Sequence, residues 1–219
     1  MPAFEFQGFG KIGRLFRDVV VTEKIDGTNG AIGIVPMSDF SDNPPATPVS
    51  PGDGTIYAVY AQSRKRIITP GSDNFGFARW VWANATTLVR DLGPGLHFGE
   101  WWGSGIQRGY GLEKGHRVFS LFNVKRWTDE VKLGFETPCL DVVPVLYRGS
   151  FESSKIRRVL NHLEAFSSEA APGFMNPEGI VIYHAAANTL FKVTIKDDEQ
   201  PKSQAAITGS GGLVLPKLS

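Results

Sequence analysis

Val19-Val20-Val21-Thr22-Glu23-Lys24-Ile25-Asp26-Gly27-Thr28-Asn29 is a β-branched run that delivers one lysine to a strand end. An aspartate, a glycine and two small polar residues follow at once. Asp18 to Lys24 reads as a strand, Asp26–Asn29 as a turn, and Gly30 to Val35 as its antiparallel partner. An amine at the mouth of a turn, two residues from a carboxylate, can serve as a nucleophile. A plain hairpin has the same local composition, so Lys-x-Asp-Gly by itself does not choose between chemistry and a turn.

Working outward, the rest of the chain is of ordinary globular character. Its 219 residues can bury a substantial core, and 42% are hydrophobic against 21% charged. The net charge of +1 gives no global attraction to nucleic acid, so a nucleic-acid surface has to be a local patch. Cys139 is the only cysteine, which excludes an intramolecular disulfide and fits a reducing, cytoplasmic setting. The first residues lack a signal-peptide pattern, and no apolar run approaches about 18 residues, so no membrane span is expected.

Phe4 to Phe16 reads as an irregular lead-in, with Arg14 and Arg17 presenting cations near the first strand. Residues 36 to 54 are a proline-rich loop. Thr55 to Ala61 reads as a strand that runs into Gln62-Ser63-Arg64-Lys65-Arg66. Phe77, Val81, Ala85, Leu88 and Leu92 recur at helical spacing, opened by Gly71-Ser72-Asp73 and closed by Gly93-Pro94. Strands are expected at Leu96–Trp101, Arg117–Val124 and once within Pro138–Tyr147. A second amphipathic helix carries Ile156, Val159, Leu160, Leu163 and Phe166, opened by Ser153 or Ser154. Glu178–Tyr183 and Thr189–Lys196 read as a hairpin pair, and from Pro201 the chain reads as a flexible tail. Strands outnumber helices and pair antiparallel, so the fold class is α+β.

Polar residues recur at strand ends: Lys24 with Asp26, Arg64, Glu100, Glu178, and Lys192 with Lys196. Alternation along antiparallel strands can aim them into one cleft, with cations opposite carboxylates, as a nucleoside triphosphate and a divalent metal require. These residues also resemble a family. Glu23-Lys24-Ile25-Asp26-Gly27-Thr28-Asn29 resembles motif I of the covalent nucleotidyltransferases, the superfamily of polynucleotide ligases and mRNA-capping enzymes. Ser63-Arg64 sits at its second short motif, and Phe98-Gly99-Glu100-Trp101 resembles motif III. Val118 to Val124 resembles motif IIIa, Glu178 to Ile182 motif IV, and Lys192 to Lys196 motif V. All six occur in family order. The Thr28-Asn29 pair and the glycine-rich stretch at 99–107 are similar to the RNA ligase 2 group.

The resemblance implies an antiparallel-sheet, ATP-grasp-like ligase adenylation domain with flanking helices, over residues 1–200, and the tail at 201–219. It implies an ATP-dependent RNA ligase with ATP and Mg²⁺ (or Mn²⁺) as cofactors and broken or nicked RNA as partner. Lys24 would attack the α-phosphorus of ATP, and Lys192 and Lys196 would favour the neutral amine and steady the phosphates. Glu23 and Ile25 flank Lys24 on the nucleotide side. Arg64 and Glu100 would hold the ribose, and Phe122, on one strand face with Ser120 and Val124, would stack on adenine. Glu178 would hold the metal. Asp26 and Asn29 would position the later steps, and Arg14, Arg17, Lys65, Arg66 and Arg108 are the candidate RNA-backbone contacts.

Two departures stand out. Thr194 occupies the second lysine position of motif V, leaving Lys196 two residues further along the strand, about 6–7 Å away. Only about 23 residues follow Lys196, too few for the OB-fold or helical domain that relatives carry, so no OB-fold is expected and an accessory domain would come from a partner protein. The alternatives are a DNA ligase, a capping-type guanylyltransferase, and a non-catalytic nucleic-acid-binding protein that keeps the fold. The four histidines show no metal-ligand spacing.

Overall fold

Lys24 ends β1 (Asp18–Lys24), and the strand that follows it, β2 (Thr28–Pro36), belongs to a different sheet. The computed structural model describes residues 8, 10, 12–40, 45–52 and 54–196. The tail read from Pro201 lies outside the described residues, as do residues 4–7, 9 and 11 of the expected lead-in. After β2 come β3 (Thr47–Val49), β4 (Tyr57–Ser63), β5 (Ile67–Ile68), helices α1 (Phe77–Ala83) and α2 (Ala85–Leu92), β6 (Gly95–Gly103) and β7 (Arg117–Leu121). The rest is α3 (Asp129–Lys132), β8 (Leu140–Val142), β9 (Val145–Ser150), α4 (Ser153–Phe166), β10 (Gly179–His184) and β11 (Thr189–Thr194).

The strands form two sheets, in the orders β11-β10-β1-β9 and β3-β4-β2-β6-β7-β8, with β5 added to β4. All pairs are antiparallel except β7 with β8. The fold is therefore α+β, as the pattern of strands and few helices implies. Among the described residues no helix is long and apolar enough to cross a membrane.

The expected hairpin of β1 with β2 is not formed. Both edges of β1 are taken by β10 and β9, and both edges of β2 by β4 and β6. Ile25–Gly27 is a crossing between sheets. A turn and a crossing have the same local sequence, and what separates them is where each strand buries its side chains. β1 alternates, sending Val19, Val21 and Glu23 to one face, whereas β2 is buried continuously from Gly30 to Ile34 as a central strand. Gly27 is required there: a Cβ would lie 2.5 Å from the Trp101 carbonyl and 2.8 Å from the Trp102 side chain. The strand expected within Pro138–Tyr147 is likewise two strands, β8 and β9, one in each sheet.

The first sheet buries one face, and the second is covered by the helices on one face and partly buried on the other. Val19, Val21, Ile180 and Ile182 pack against Ile156 and Leu163 of α4. Ile32, Ile34, Phe77, Val81, Leu88, Trp101 and Phe119 form the larger core between the second sheet and α1–α2. The single helix expected over 77–92 is broken at Asn84, whose backbone leaves helical geometry (φ −111°, ψ 15°) and whose side-chain amide joins its own N–H on the Trp80 carbonyl, at 2.8 Å. Asp73 still supplies the expected start signal, accepting the N–H groups of Ala78 and Arg79. α4 begins at Ser153 with Glu152, not a serine side chain, at its cap.

Candidate active site

Alternation in β1 puts Lys24 on the face opposite Glu23. Its ammonium donates to Glu178 Oε2 at 2.5 Å, and the Glu178 side chain is only 2% exposed. Glu178 immediately precedes β10, which pairs with β1 in the register Lys24 opposite Gly179 and Thr22 opposite Val181. β11 continues the same rows, with Thr194 beside Gly179 and Lys192 beside Val181. Thr194 therefore lies in line with Lys24, about 10 Å away across two strand spacings, with only a glycine between them. Lys192 shares that face one row along and is exposed. Lys196 lies beyond the end of β11, where its amine meets the Asn176 side-chain oxygen at 3.3 Å.

The second sheet brings Glu100 to the same crossing. Its Oε1 accepts the Gly27 N–H at 3.1 Å and its Oε2 the Asn29 side-chain amide at 2.8 Å. Burial pushes the Glu100 carboxyl up from an ordinary value near 4.5 to about 7, Glu178 and Asp26 add to the rise, and Lys24 opposes it. In the register of β2, β6 and β7, Asn29, Glu100 and Ser120 form one row of a sheet face, and Ala31 and Phe98 the next. The Phe122 N–H donates to the Phe98 carbonyl, so Phe122 extends that second row. Phe98 and Phe122 are 51% and 41% exposed, which makes this row an apolar platform beside Glu100. Of the expected strand face, Ser120 and Phe122 lie on one side of the sheet and Val124 does not. β7 stops at Leu121, Ser120 is buried against the Trp102 indole N–H, and Val124 turns into the core.

Glu100 has a titration signature that stability can read. An acid raised in the folded state stays protonated there at pH values where the unfolded chain has already ionised. Between about 4.5 and 7 the folded chain binds more protons, so stability falls as pH rises through that window and levels off above it. Glu100→Gln removes this titration. Thermal melts of both proteins at low and high pH should show the variant gaining on wild type by something on the order of 3 kcal/mol between the two limits. A difference independent of pH would refute the assignment.

Several expected site residues lie elsewhere. The Glu23 carboxylate turns to the segment after α4, accepting from the Ser168 hydroxyl at 2.6 Å and the N–H groups of Glu169 and Ala170. Burial raises its carboxyl against the lowering effect of these bonds. The Ile25 side chain is part of the larger core. Arg14 and Arg17 are exposed before β1, and Arg17 is roughly 23 Å of extended strand away from Lys24. Arg64 and Lys65 line an open hollow with Thr28, Ser63, Asp73 and Asn74, next to Asn29. Arg66 lies there too, but its guanidinium is engaged with Ser72 and the Ile67 carbonyl. Arg108 is paired with Asp26 at 3.0 Å instead of standing open to solvent.

Tyr110 and Phe98 were not expected at the site. The Tyr110 hydroxyl accepts the Asp26 N–H at 2.8 Å, and its ring packs on Trp102 and Phe174. Nothing in Gly109-Tyr110-Gly111 alone announces this. Phe98 was legible, because Leu96, Phe98 and Glu100 alternate on one face of a strand.

A family model of RNA ligases matches residues 17–194. Among solved structures, an RNA ligase from Naegleria gruberi, in a mutant apo form, is similar at 16% identity with a TM-score of 0.48. That match covers 81% of this chain and 49% of the Naegleria chain, so this chain spans about half the length of its structural relative. No curated protein sequence matches. With the family model covering β1 through β11, the chain belongs to the RNA ligase family.

Proposed function

We propose that the chain is an ATP-dependent RNA ligase of the nucleotidyltransferase type, resembling the RNA ligase 2 group, with Lys24 as the residue that carries AMP. The observation that carries this reading is the meeting of Lys24, Glu178 and Glu100 at one crossing between two sheets, beside an exposed aromatic platform. The Lys24 amine attacks the α-phosphorus, an N–P bond forms, the bond to the β-phosphate oxygen breaks, and pyrophosphate leaves. AMP then passes to an RNA 5′-phosphate, and a 3′-hydroxyl displaces it.

Glu100 keeps lone pairs for ribose hydroxyls after accepting from Gly27 and Asn29, and Arg64, which lines the hollow that Thr28 also lines, would supply a planar donor. Phe122, with Phe98 next to it, offers the base an apolar surface. Attack requires the neutral amine, so the Lys24–Glu178 ion pair has to open before reaction. Glu178 suits Mg²⁺ or Mn²⁺: a buried carboxylate next to where phosphates would sit matches the preference of Mg²⁺ for one or two carboxylates, substrate phosphates and waters. Such an ion would neutralise charge developing on the phosphate oxygens.

Incubation with α-labelled ATP and Mg²⁺, followed by denaturing electrophoresis, tests the reading. Label is expected on the wild-type chain from ATP and not from GTP, and an unlabelled chain sinks it. A nicked-duplex assay with RNA or DNA on the 3′ side then separates RNA from DNA sealing.

Thr194 supports a second test. A lysine at 194 would stand in the Lys24 row and reach toward the phosphates. Thr194→Lys should lower the ATP concentration for half-maximal adenylylation by about 3- to 10-fold, the yield of one added charge contact. Unchanged or weaker ATP use would place the triphosphate elsewhere.

A further inference from the structure

Arg108 has the composition of an RNA-backbone contact and a different geometry. Its Nε donates to Asp26 Oδ2 at 3.0 Å, and its Nη1 donates to the carbonyls of Asn176 at 2.9 Å and Pro177 at 3.2 Å. Asp26 is two residues from Lys24, and Pro177 is the residue before Glu178. One guanidinium thus joins the crossing that carries the amine to the segment that carries its carboxylate partner. Both side chains of the pair are largely withdrawn from solvent, at 25% and 13% exposure, where a charge-assisted bond holds its geometry best.

The surroundings reinforce the same junction. Tyr110, two residues after Arg108, accepts the Asp26 N–H and packs against Phe174 at 4.6 Å between ring centres. Gly109, Tyr110 and Gly111 all have positive φ (67°, 51° and 67°). A tyrosine in the left-handed region is strained, and it persists where the surroundings over-determine it. Here the hydroxyl bond and the buried ring do so.

We propose that Arg108 is a positioning residue for the adenylylation centre: it fixes the Lys24 crossing against the Asn176–Glu178 segment, and so sets the amine–carboxylate geometry. This rests on the function proposed above. Lysine cannot reproduce the function, because a single ammonium lacks the rigid fork that reaches a carboxylate and two carbonyls together.

The test uses the full chain with Arg108→Gln and Arg108→Lys. Single-turnover adenylylation should slow by about 30- to 100-fold in Arg108→Gln, as expected for a reacting group misplaced by about 1 Å. The half-saturating ATP concentration should stay within about threefold, since no ATP contact is removed. Arg108→Lys should recover less than about tenfold of the rate. Binding of a nicked RNA duplex, read by fluorescence anisotropy, should be unchanged. Full adenylylation with weakened RNA binding would restore Arg108 to the RNA surface and overturn the proposal. A lowered melting temperature with a normal rate would make it merely structural. Hydrogen exchange gives an arm independent of activity, in which residues 25–28 and 176–179 should lose protection together in Arg108→Gln. If the wild-type chain forms no adduct, the proposed reaction fails, while unchanged exchange in the two segments overturns the Arg108 proposal separately.

Discussion

Lys24→Arg is expected to abolish the proposed covalent adenylate while leaving the fold nearly as stable as wild type. Arginine keeps a cation beside Glu178 but offers no amine that can lose its proton near neutral pH. Removing the proposed nucleophile should lower adduct formation by at least about 10⁴-fold. Lys24→Ala should lose the adduct as completely and also lose stability, because it withdraws a counter-charge from a carboxylate that is 2% exposed. Breaking a fully buried pair costs about 3–5 kcal/mol, and the 22% exposure of Lys24 reduces that to about 1–2 kcal/mol. For a chain of this size the melting temperature should fall by about 2–8 °C. The pair of variants separates chemistry from folding: neither carries label, and only the alanine melts early. Label surviving in either variant would move the nucleophile away from Lys24.

The strands around Lys24 were legible because their signals are local. The β-branched run of β1, the alternation in β6 and the hairpin of β10 with β11 lie within short stretches, and periodicity finds them. The partner of β1 was not legible. Lys-Ile-Asp-Gly can close a hairpin or cross between sheets, and the outcome depends on β10 and β9, more than 100 residues away. The same limit explains Glu23 and Arg108. Both are charged residues beside a motif, and nothing local tells that Glu23 reaches Ser168 or that Arg108 reaches Asp26. Glu100, Glu178 and Lys24 were found together because the order of motifs carries what a single strand cannot. The interruption at Asn84 was missed for the opposite reason. The helical spacing continues through it, while the Asn84 backbone leaves helical geometry at φ −111° and ψ 15° and its side chain bonds the Trp80 carbonyl.

The Lys24–Glu178 pair also determines what removing the carboxylate should do. Glu178→Ala takes away the proposed metal ligand and the group that holds the Lys24 ammonium in place. Loss of one preorganised electrostatic contact at a reacting centre typically costs about 10²–10³ in rate, and the adenylylation rate should fall by that amount or more. Glu178→Gln is the sharper variant. Its amide oxygen can still accept from Lys24, so orientation is largely kept while the charge a divalent ion requires is gone. If Glu178 serves mainly as a metal ligand, the glutamine variant should be nearly as slow as the alanine. Its half-saturating Mg²⁺ should rise by at least about tenfold, and Mn²⁺ binding followed by electron paramagnetic resonance in the presence of ATP should weaken in parallel. If the carboxylate serves only to orient the amine, the glutamine variant should keep most of the rate with an ordinary Mg²⁺ requirement. The second result would leave Lys24 as the acceptor of AMP and assign the metal to the nucleotide phosphates without Glu178.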